Sequence, residues 1–217
     1  MLISVATRAK QGTLISWSAD GLVILMRGDL ERVLFDEPAI HRRLDDMAAQ
    51  ISDDYREREL TVIAVLHGSL MFVADLLRRI PLPLKLECLS VASYHGKTQT
   101  SGEVIFKLAT ASPSGGGQIG LPDVAGRDVL VLDDILDSGH TLAAVRETLE
   151  TAKPHTIRVC VLLSKKKQRA REVDADYVGF EIEDEFVVGY GLDFRERYRN
   201  LPYVGVLRKE LLAQTTG

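Results

Sequence analysis

The stretch "VLVLDDILDSGHTL", residues 129–142, decides how the rest of the chain is read. An unbroken apolar run, 129–132, meets two carboxylates, Asp133 and Asp134, and a third, Asp137, follows within one turn. Ser138, Gly139, His140 and Thr141 come next. A short apolar run of this kind, bounded by polar turn residues, suits a strand buried on both faces in a parallel sheet. Residues 133–141 then lie at the strand's carboxyl end, on the entry to a helix, where open α/β sheets bind their ligands.

Ser138, Gly139 and Thr141 offer hydroxyls and unhindered backbone N–H groups, and a helix N-terminus adds about half a positive charge. That is an anion site suited to phosphate. The acids need a separate reason, because adjacent carboxylates repel both phosphate and each other. A vicinal diol, such as a ribose, would donate hydrogen bonds to Asp133 and Asp134. A Mg²⁺ ion, which prefers hard oxygen ligands, would also relieve the repulsion. Phosphate, diol and metal together describe a phosphorylated ribose. The alternative is that Asp and Ser merely cap a helix. Three acids in five residues after an apolar strand weigh against it, since clustered like charges are unfavourable.

Working outward, Ile40, Leu44, Met47, Ile51 and Tyr55 recur at helical spacing and predict an amphipathic helix over 37–58. "TVIAVL" (61–66) predicts a buried parallel strand that stops at His67-Gly68-Ser69, and "LMFVADLLRRI" (70–80) a helix ended by Pro81. Strands are expected at 84–94, 103–109, 156–164, 177–182 and 186–194, with a Gly/Ser/Pro-rich surface loop or hairpin tip after residue 109 and a helix over about 140–152. Strands alternating with helices imply an α/β fold with a mostly parallel sheet. The first 27 residues fit a short strand, a hairpin or a loosely attached tail.

The 217 residues suffice for one domain with an appendage. A net charge of −4 supplies no basic field for nucleic acid, so no nucleic-acid partner is expected. No apolar stretch reaches the ~20 residues that span a bilayer, so no membrane partner is expected and the location is read as cytoplasmic. Cys88 and Cys160 both sit in apolar strand-like runs, where free buried thiols are expected.

The 129–142 stretch resembles the phosphoribosyl-pyrophosphate signature of the type I phosphoribosyltransferases. "VLHGSLMFVADLL", "SYHGKTQTSGEV", "LLSKKK" and "DYVGFEIEDEFVVGYGLDFRERYRNLPYVGVL" resemble, in the same order, segments of the hypoxanthine-guanine phosphoribosyltransferases. The similarity runs over about 28–207, and its last segment is the most discriminating. It implies a type I phosphoribosyltransferase fold: a central, mostly parallel sheet flanked by helices, with a small hood subdomain. The expected division is an N-terminal extension (1–27), a phosphoribosyltransferase core (28–165, with 28–58 contributing to hood or oligomer packing) and a C-terminal hood segment (166–217).

The implied reaction transfers a 5-phosphoribosyl group from phosphoribosyl pyrophosphate (PRPP) to N9 of hypoxanthine or guanine, giving IMP or GMP and pyrophosphate. By the same resemblance Asp137, Ser138, Gly139, His140 and Thr141 cradle the 5′-phosphate. Asp133 and Asp134 hold the ribose hydroxyls, directly or through Mg²⁺. Asp137 faces the purine N7 as candidate general acid/base. Lys165 donates to the purine O6, which separates 6-oxo from 6-amino purines. Phe186 stacks on the base, and the Val187 backbone reads its edge. Asp193 binds a second Mg²⁺, and Arg199 meets pyrophosphate together with the turn at His67 and Gly68, where a cis peptide is expected between Leu66 and His67. Ser93 and Tyr94 belong to a mobile loop that closes over the reacting centre. A homodimer or homotetramer is implied as well.

The chain departs from the family pattern at several places. His67 stands where relatives usually carry Lys or Arg, Asp133 replaces the commoner Glu, 110–122 is longer than usual, and 1–27 has no counterpart. Two alternatives stay open: a PRPP-sensing regulator on the same fold, and an enzyme that prefers xanthine.

Overall fold

A computed structural model describes residues 5–8, 14–17, 28–90 and 122–213. Near the N-terminus, β1 (Val5–Arg8) and β2 (Leu14–Trp17) pair as an antiparallel hairpin. The main sheet has five strands: β4 (Leu60–Leu66), β5 (Leu84–Ser90), β6 (Asp128–Leu136), β7 (Thr156–Lys165) and β8 (Tyr177–Ile182). Their order is β5-β4-β6-β7-β8, and every pairing is parallel.

Successive residues of a strand face opposite sides of the sheet, and here both sides are covered. Val62, Ala64, Leu130, Leu132, Cys160 and Leu162 pack with α1 (Glu37–Asp54) and α2 (Leu70–Leu77). Ile63, Val65, Val129, Val131, Val159 and Val161 pack with α3 (His140–Glu150) on the other side. Burial on two faces is why the central strands β4, β6 and β7 read as largely apolar runs, while the edge strands β5 and β8 are partly exposed.

The helix α1 buries Ile40, Leu44, Met47, Ala48 and Ile51, the stripe that the spacing predicts. Asp36 caps it by accepting a hydrogen bond from the Ala39 N–H at 2.9 Å. It ends before 58 because Glu57 takes a positive φ of 63°. Arg43 fixes it over the sheet edge by donating to the carbonyls of Val178 and Gly179 at 2.6 and 2.7 Å.

A second, antiparallel sheet joins β3 (Leu30–Phe35), β10 (Val204–Leu207) and β9 (Val187–Val188) in the order β3-β10-β9. Its own cluster contains Leu30, Val188, Tyr198, Leu201 and Leu207. The strand expected over 186–194 is realised only at Val187–Val188. Gly189, Tyr190 and Gly191 all adopt positive φ (98°, 50° and 103°), so the chain turns where its composition still looks strand-like. The strand and loop expected at 103–109 and 110–122 fall almost wholly outside the described residues. Both cysteines are free, Cys160 buried and Cys88 half-buried. No described helix is long and apolar enough to cross a membrane.

Candidate active site

The main sheet splits where the site forms. Strand β4 pairs with β6 only as far as Ala64↔Leu132. Beyond that point Val65 and Leu66 stay with β5, while Asp133, Ile135 and Leu136 stay with β7. The chain passes from β4 to β5 on one side and from β6 to β7 on the other, so the gap between β4 and β6 is the topological switch point at which open sheets hold ligands. The strand therefore does not stop at its acids, as the sequence suggested. Pairing with β7 carries it on to Leu136, and the acids line the wall of the split.

A cavity of about 320 Å³ fills this crevice. One wall is Val65, Leu66 and Gly68; the other is the run 133–139 with Thr141 and Leu142; Asp193 and Arg199 close it. A second cavity of about 170 Å³ adjoins, lined by Asp134, Ile135, Asp137, Lys165, Phe186, Val187, Leu192 and Asp193. Asp134, Ile135, Asp137 and Asp193 line both. His67 and His140 are exposed and line neither. Ser93 and Tyr94 lie outside the described residues.

The turn before α3 is not a capped helix start. Its N-cap is Gly139, at φ 83° and with no side chain to accept a bond. A Cβ there would lie 2.3 Å from the Arg171 carbonyl oxygen, so glycine is required by space as well as by φ. Ser138 and Thr141 are left to face the cavity rather than the helix end. That removes the capping alternative.

Across the crevice the Leu66–His67 peptide is cis, as expected. A Cβ on Gly68 would lie 1.6 Å from Asp134 Oδ2, so the absence of a side chain lets this turn close on Asp134 as that carboxylate stands. Gly191, at φ 103°, in turn abuts the Gly68 carbonyl, where a Cβ would come to 2.0 Å. Gly191 was not singled out in the sequence; a glycine inside an apolar run was the available signal.

The acids differ sharply in surroundings. Asp133 is 6% exposed, and its Oδ1 accepts from the Asp134 N–H at 3.0 Å. Asp134 Oδ1 accepts from the Ile135 N–H at 2.8 Å. Burial pushes both carboxyls up, Asp133 well up because the charge of Asp134 adds to it. Asp137 goes the other way. Burial would raise it, but the ammonium groups of Lys167 and Lys165 outweigh that and hold it below the ordinary carboxylate range.

Lys165, only 9% exposed, lies 3.0 Å from Asp137 Oδ2 and 3.0 Å from Asp184 Oδ1. Lys167 pairs with the other Asp137 oxygen and with Asp184 Oδ1 at 3.2 Å. Lys167 and Asp184 were missed in the sequence, since charged runs usually form solvated faces. The Phe186 ring is 40% exposed and meets Phe194 edge to face at 5.5 Å. Asp193 is engaged already: Oδ1 pairs with Arg199 at 2.8 Å and Oδ2 accepts from the Glu196 N–H at 2.8 Å. Arg199 also donates to the Gly191 carbonyl at 2.7 Å.

The donor set suits a hard cation. Asp133, buried, and Asp134, half-buried, are adjacent carboxylates, neither of them in an ion pair among the described residues. No group of three or more His, Cys, Asp or Glu side chains is arranged to hold a metal among the described residues. A cation here would take one or two carboxylates and draw its other ligands from substrate oxygens and water, as Mg²⁺ commonly does.

A phosphoribosyl transferase domain matches residues 33–195. The chain is 42% identical over 190 residues to the hypoxanthine-guanine phosphoribosyltransferase of Staphylococcus epidermidis, covering 87% of this chain and all of that one. Among solved structures, a hypoxanthine phosphoribosyltransferase from Staphylococcus aureus superposes with a TM-score of 0.77 at 40% identity, covering 86% of this chain and 96% of that one. A hypoxanthine-guanine phosphoribosyltransferase from Bacillus anthracis gives 0.73 at 36% identity, covering 82% and 99%.

Proposed function

The chain belongs to the phosphoribosyl transferase domain family, and from that premise we propose that it is a purine-salvage hypoxanthine-guanine phosphoribosyltransferase. It transfers the 5-phosphoribosyl group of PRPP to N9 of hypoxanthine or guanine, forming IMP or GMP and releasing pyrophosphate. The observation that carries this reading is the pair of adjoining cavities with Asp134, Asp137 and Asp193 on the wall common to both. One is built for a sugar phosphate, the other for a flat, keto-bearing ring, and the bond between them forms beside Asp137.

In this reading Ser138, Gly139, His140 and Thr141 receive the 5′-phosphate through backbone N–H groups and hydroxyls at the start of α3. Asp133 and Asp134 accept hydrogen bonds from the ribose hydroxyls, which are the donors that the pair lacks. Mg²⁺ held by Asp133 or Asp134, and a second Mg²⁺ held by Asp193, would neutralise charge on the departing pyrophosphate. Gly68 presents the backbone of its turn to the same group, with Arg199 alongside. His67 contributes through its peptide rather than its exposed ring.

Lys165 would donate to the purine O6; a 6-amino group has no lone pair to accept, so both donors would be left unpaired. Phe186 offers an exposed ring face to the base, and Val187 the backbone at its edge. As N9 bonds to C1′ and the C1′–pyrophosphate bond breaks, the purine must lose its imidazole proton. Asp137, kept ionised by two ammonium groups, is the acceptor. In the reverse direction it returns that proton. The Ser93-Tyr94 loop would exclude water from the oxocarbenium-like centre. A homodimer or homotetramer in the cytoplasm completes the proposal.

The test is a spectrophotometric assay with PRPP, Mg²⁺ and hypoxanthine, guanine or xanthine in turn. Nucleotide formation from hypoxanthine and guanine is expected. No product from either would overturn the assignment, and turnover of xanthine alone would replace it with a xanthine-preferring enzyme.

A further inference from the structure

We propose that Lys167 is a positioning residue for this reaction: it holds the Asp137 carboxylate in place when Lys165 turns to the purine carbonyl. The inference rests on the function proposed above and adds a residue to it.

Two lysines and two aspartates form a ring of alternating charge. Lys165 and Lys167 each reach both Asp137 and Asp184. With no base present, Asp137 divides its two oxygens between the two ammonium groups, Oδ2 to Lys165 and Oδ1 to Lys167. A keto-purine entering the second cavity competes for Lys165. The O6 acceptor is neutral, so the carboxylate loses part of its cationic support at the moment it has to stay ionised and aligned with the ring N–H. Lys167 is the cation that remains. Asp184, half-exposed and touching both lysines, is the partner that can be released to solvent at least cost.

The backbone around Lys167 is fixed well enough to serve this purpose. Lys166 N–H donates to the Ile182 carbonyl at 2.8 Å, and Lys167 N–H to the Lys165 carbonyl at 3.1 Å. Arg169 donates to Ser164 Oγ at 3.0 Å and to the Val173 carbonyl at 3.2 Å. Arg171 N–H then donates to the Ser138 carbonyl at 3.1 Å, and its own carbonyl packs where a Gly139 Cβ would sit. The segment after β7 is therefore stitched to the phosphate turn that carries Asp137. Lys166 makes the contrast. Its ammonium lies 3.7 Å from Glu183 and 3.8 Å from Glu181 on an open surface, away from Asp137.

Steady-state kinetics on the full chain with PRPP, Mg²⁺ and hypoxanthine test the assignment. Lys167→Met should lower kcat about tenfold, the scale expected when a proton acceptor is loosened rather than removed. KM for hypoxanthine should change by less than about twofold, since ground-state binding of the base is left to Lys165. Lys167→Arg should restore most of kcat, and Lys166→Met should match the wild type. A wild-type kcat in Lys167→Met, a rise in KM without loss of kcat, or no rescue by Arg would each overturn the proposal. If the wild type itself makes no nucleotide from hypoxanthine or guanine, the functional reading fails and this inference falls with it. Wild-type turnover with an unaffected Lys167→Met sinks the lysine's role alone.

Discussion

The two ends of the main sheet treat their acids in opposite ways. At the amino-terminal end, Asp54 accepts from Arg158 and from the Tyr177 hydroxyl, each at 2.6 Å. Asp128 accepts from Thr156 at 2.7 Å and meets His155 at 2.9 Å, and Asp176 accepts from the Val159 N–H at 2.8 Å. Arg158 also lies 5.5 Å from the Tyr55 ring centroid. At the carboxyl end, Asp133 and Asp134 each accept from a neighbouring backbone N–H, neither is in an ion pair among the described residues, and burial pushes both carboxyls up. At the amino-terminal end, fixed partners make the acids part of what holds the fold together. Two adjacent acids whose burial outweighs the help that the Arg199 charge gives Asp134 cost stability, and are kept for a ligand that completes them.

The comparison breaks most decisively at Asp137. Replacing it with Asn keeps the shape and removes the base. We expect kcat to fall by about 10²- to 10⁴-fold, with PRPP affinity by titration calorimetry close to wild type. Equal activity would remove Asp137 from the proton transfer.

Gly68→Ala sharpens the same contrast from the other wall. Its Cβ would strike the Asp134 carboxylate, so the turn or the acid must move by an ångström or more. A displacement of that size should cost about 100-fold in kcat/KM for PRPP. A fully active alanine variant would mean that the turn and the acid pair are not held together during catalysis. Lys165→Ala comes next: KM for hypoxanthine and guanine should rise about tenfold to a hundredfold, the range for losing a hydrogen bond from a charged donor. Normal binding of both bases would show that the second cavity is not the purine slot.

How much of this was legible in the chain varies with the physics involved. The central strands of the main sheet were readable because two-sided burial makes them largely apolar, and the helix over Ile40, Leu44, Met47 and Ile51 because one-sided burial imposes its period. In the small sheet only β9 was, inside the strand expected over 186–194. Strand β3 mixes Glu31 and Arg32 with Leu30 and Val33 on a half-exposed surface, and its partners come from more than 150 residues away. The acids and the phosphate turn were legible, since clustered carboxylates have few structural uses. What surrounds them was not, because Gly191 against Gly68 and Lys167 against Asp137 are contacts between segments that sequence spacing does not relate.

The smallest expected effect belongs to the other end of the sheet, and it carries a sign. Asp54→Asn removes a charge that the Tyr177 hydroxyl and Arg158 hold, at a half-exposed position. The loss should be about 1 kcal/mol at neutral pH, with activity unchanged. The Tyr177 hydrogen bond, helped by Arg158 against partial burial, depresses the folded-state pKa of Asp54. Its contribution is therefore complete above the unfolded value, about 3.9, and disappears as pH falls through the lower folded value. The stability gap between wild type and variant, measured by urea denaturation, should be constant from pH 7 to about 5 and close progressively below about pH 4. A gap of constant size down to the acid transition would show that Asp54 works through packing or neutral hydrogen bonding, and the contrast between partnered and unpartnered acids would lose its electrostatic basis at that end.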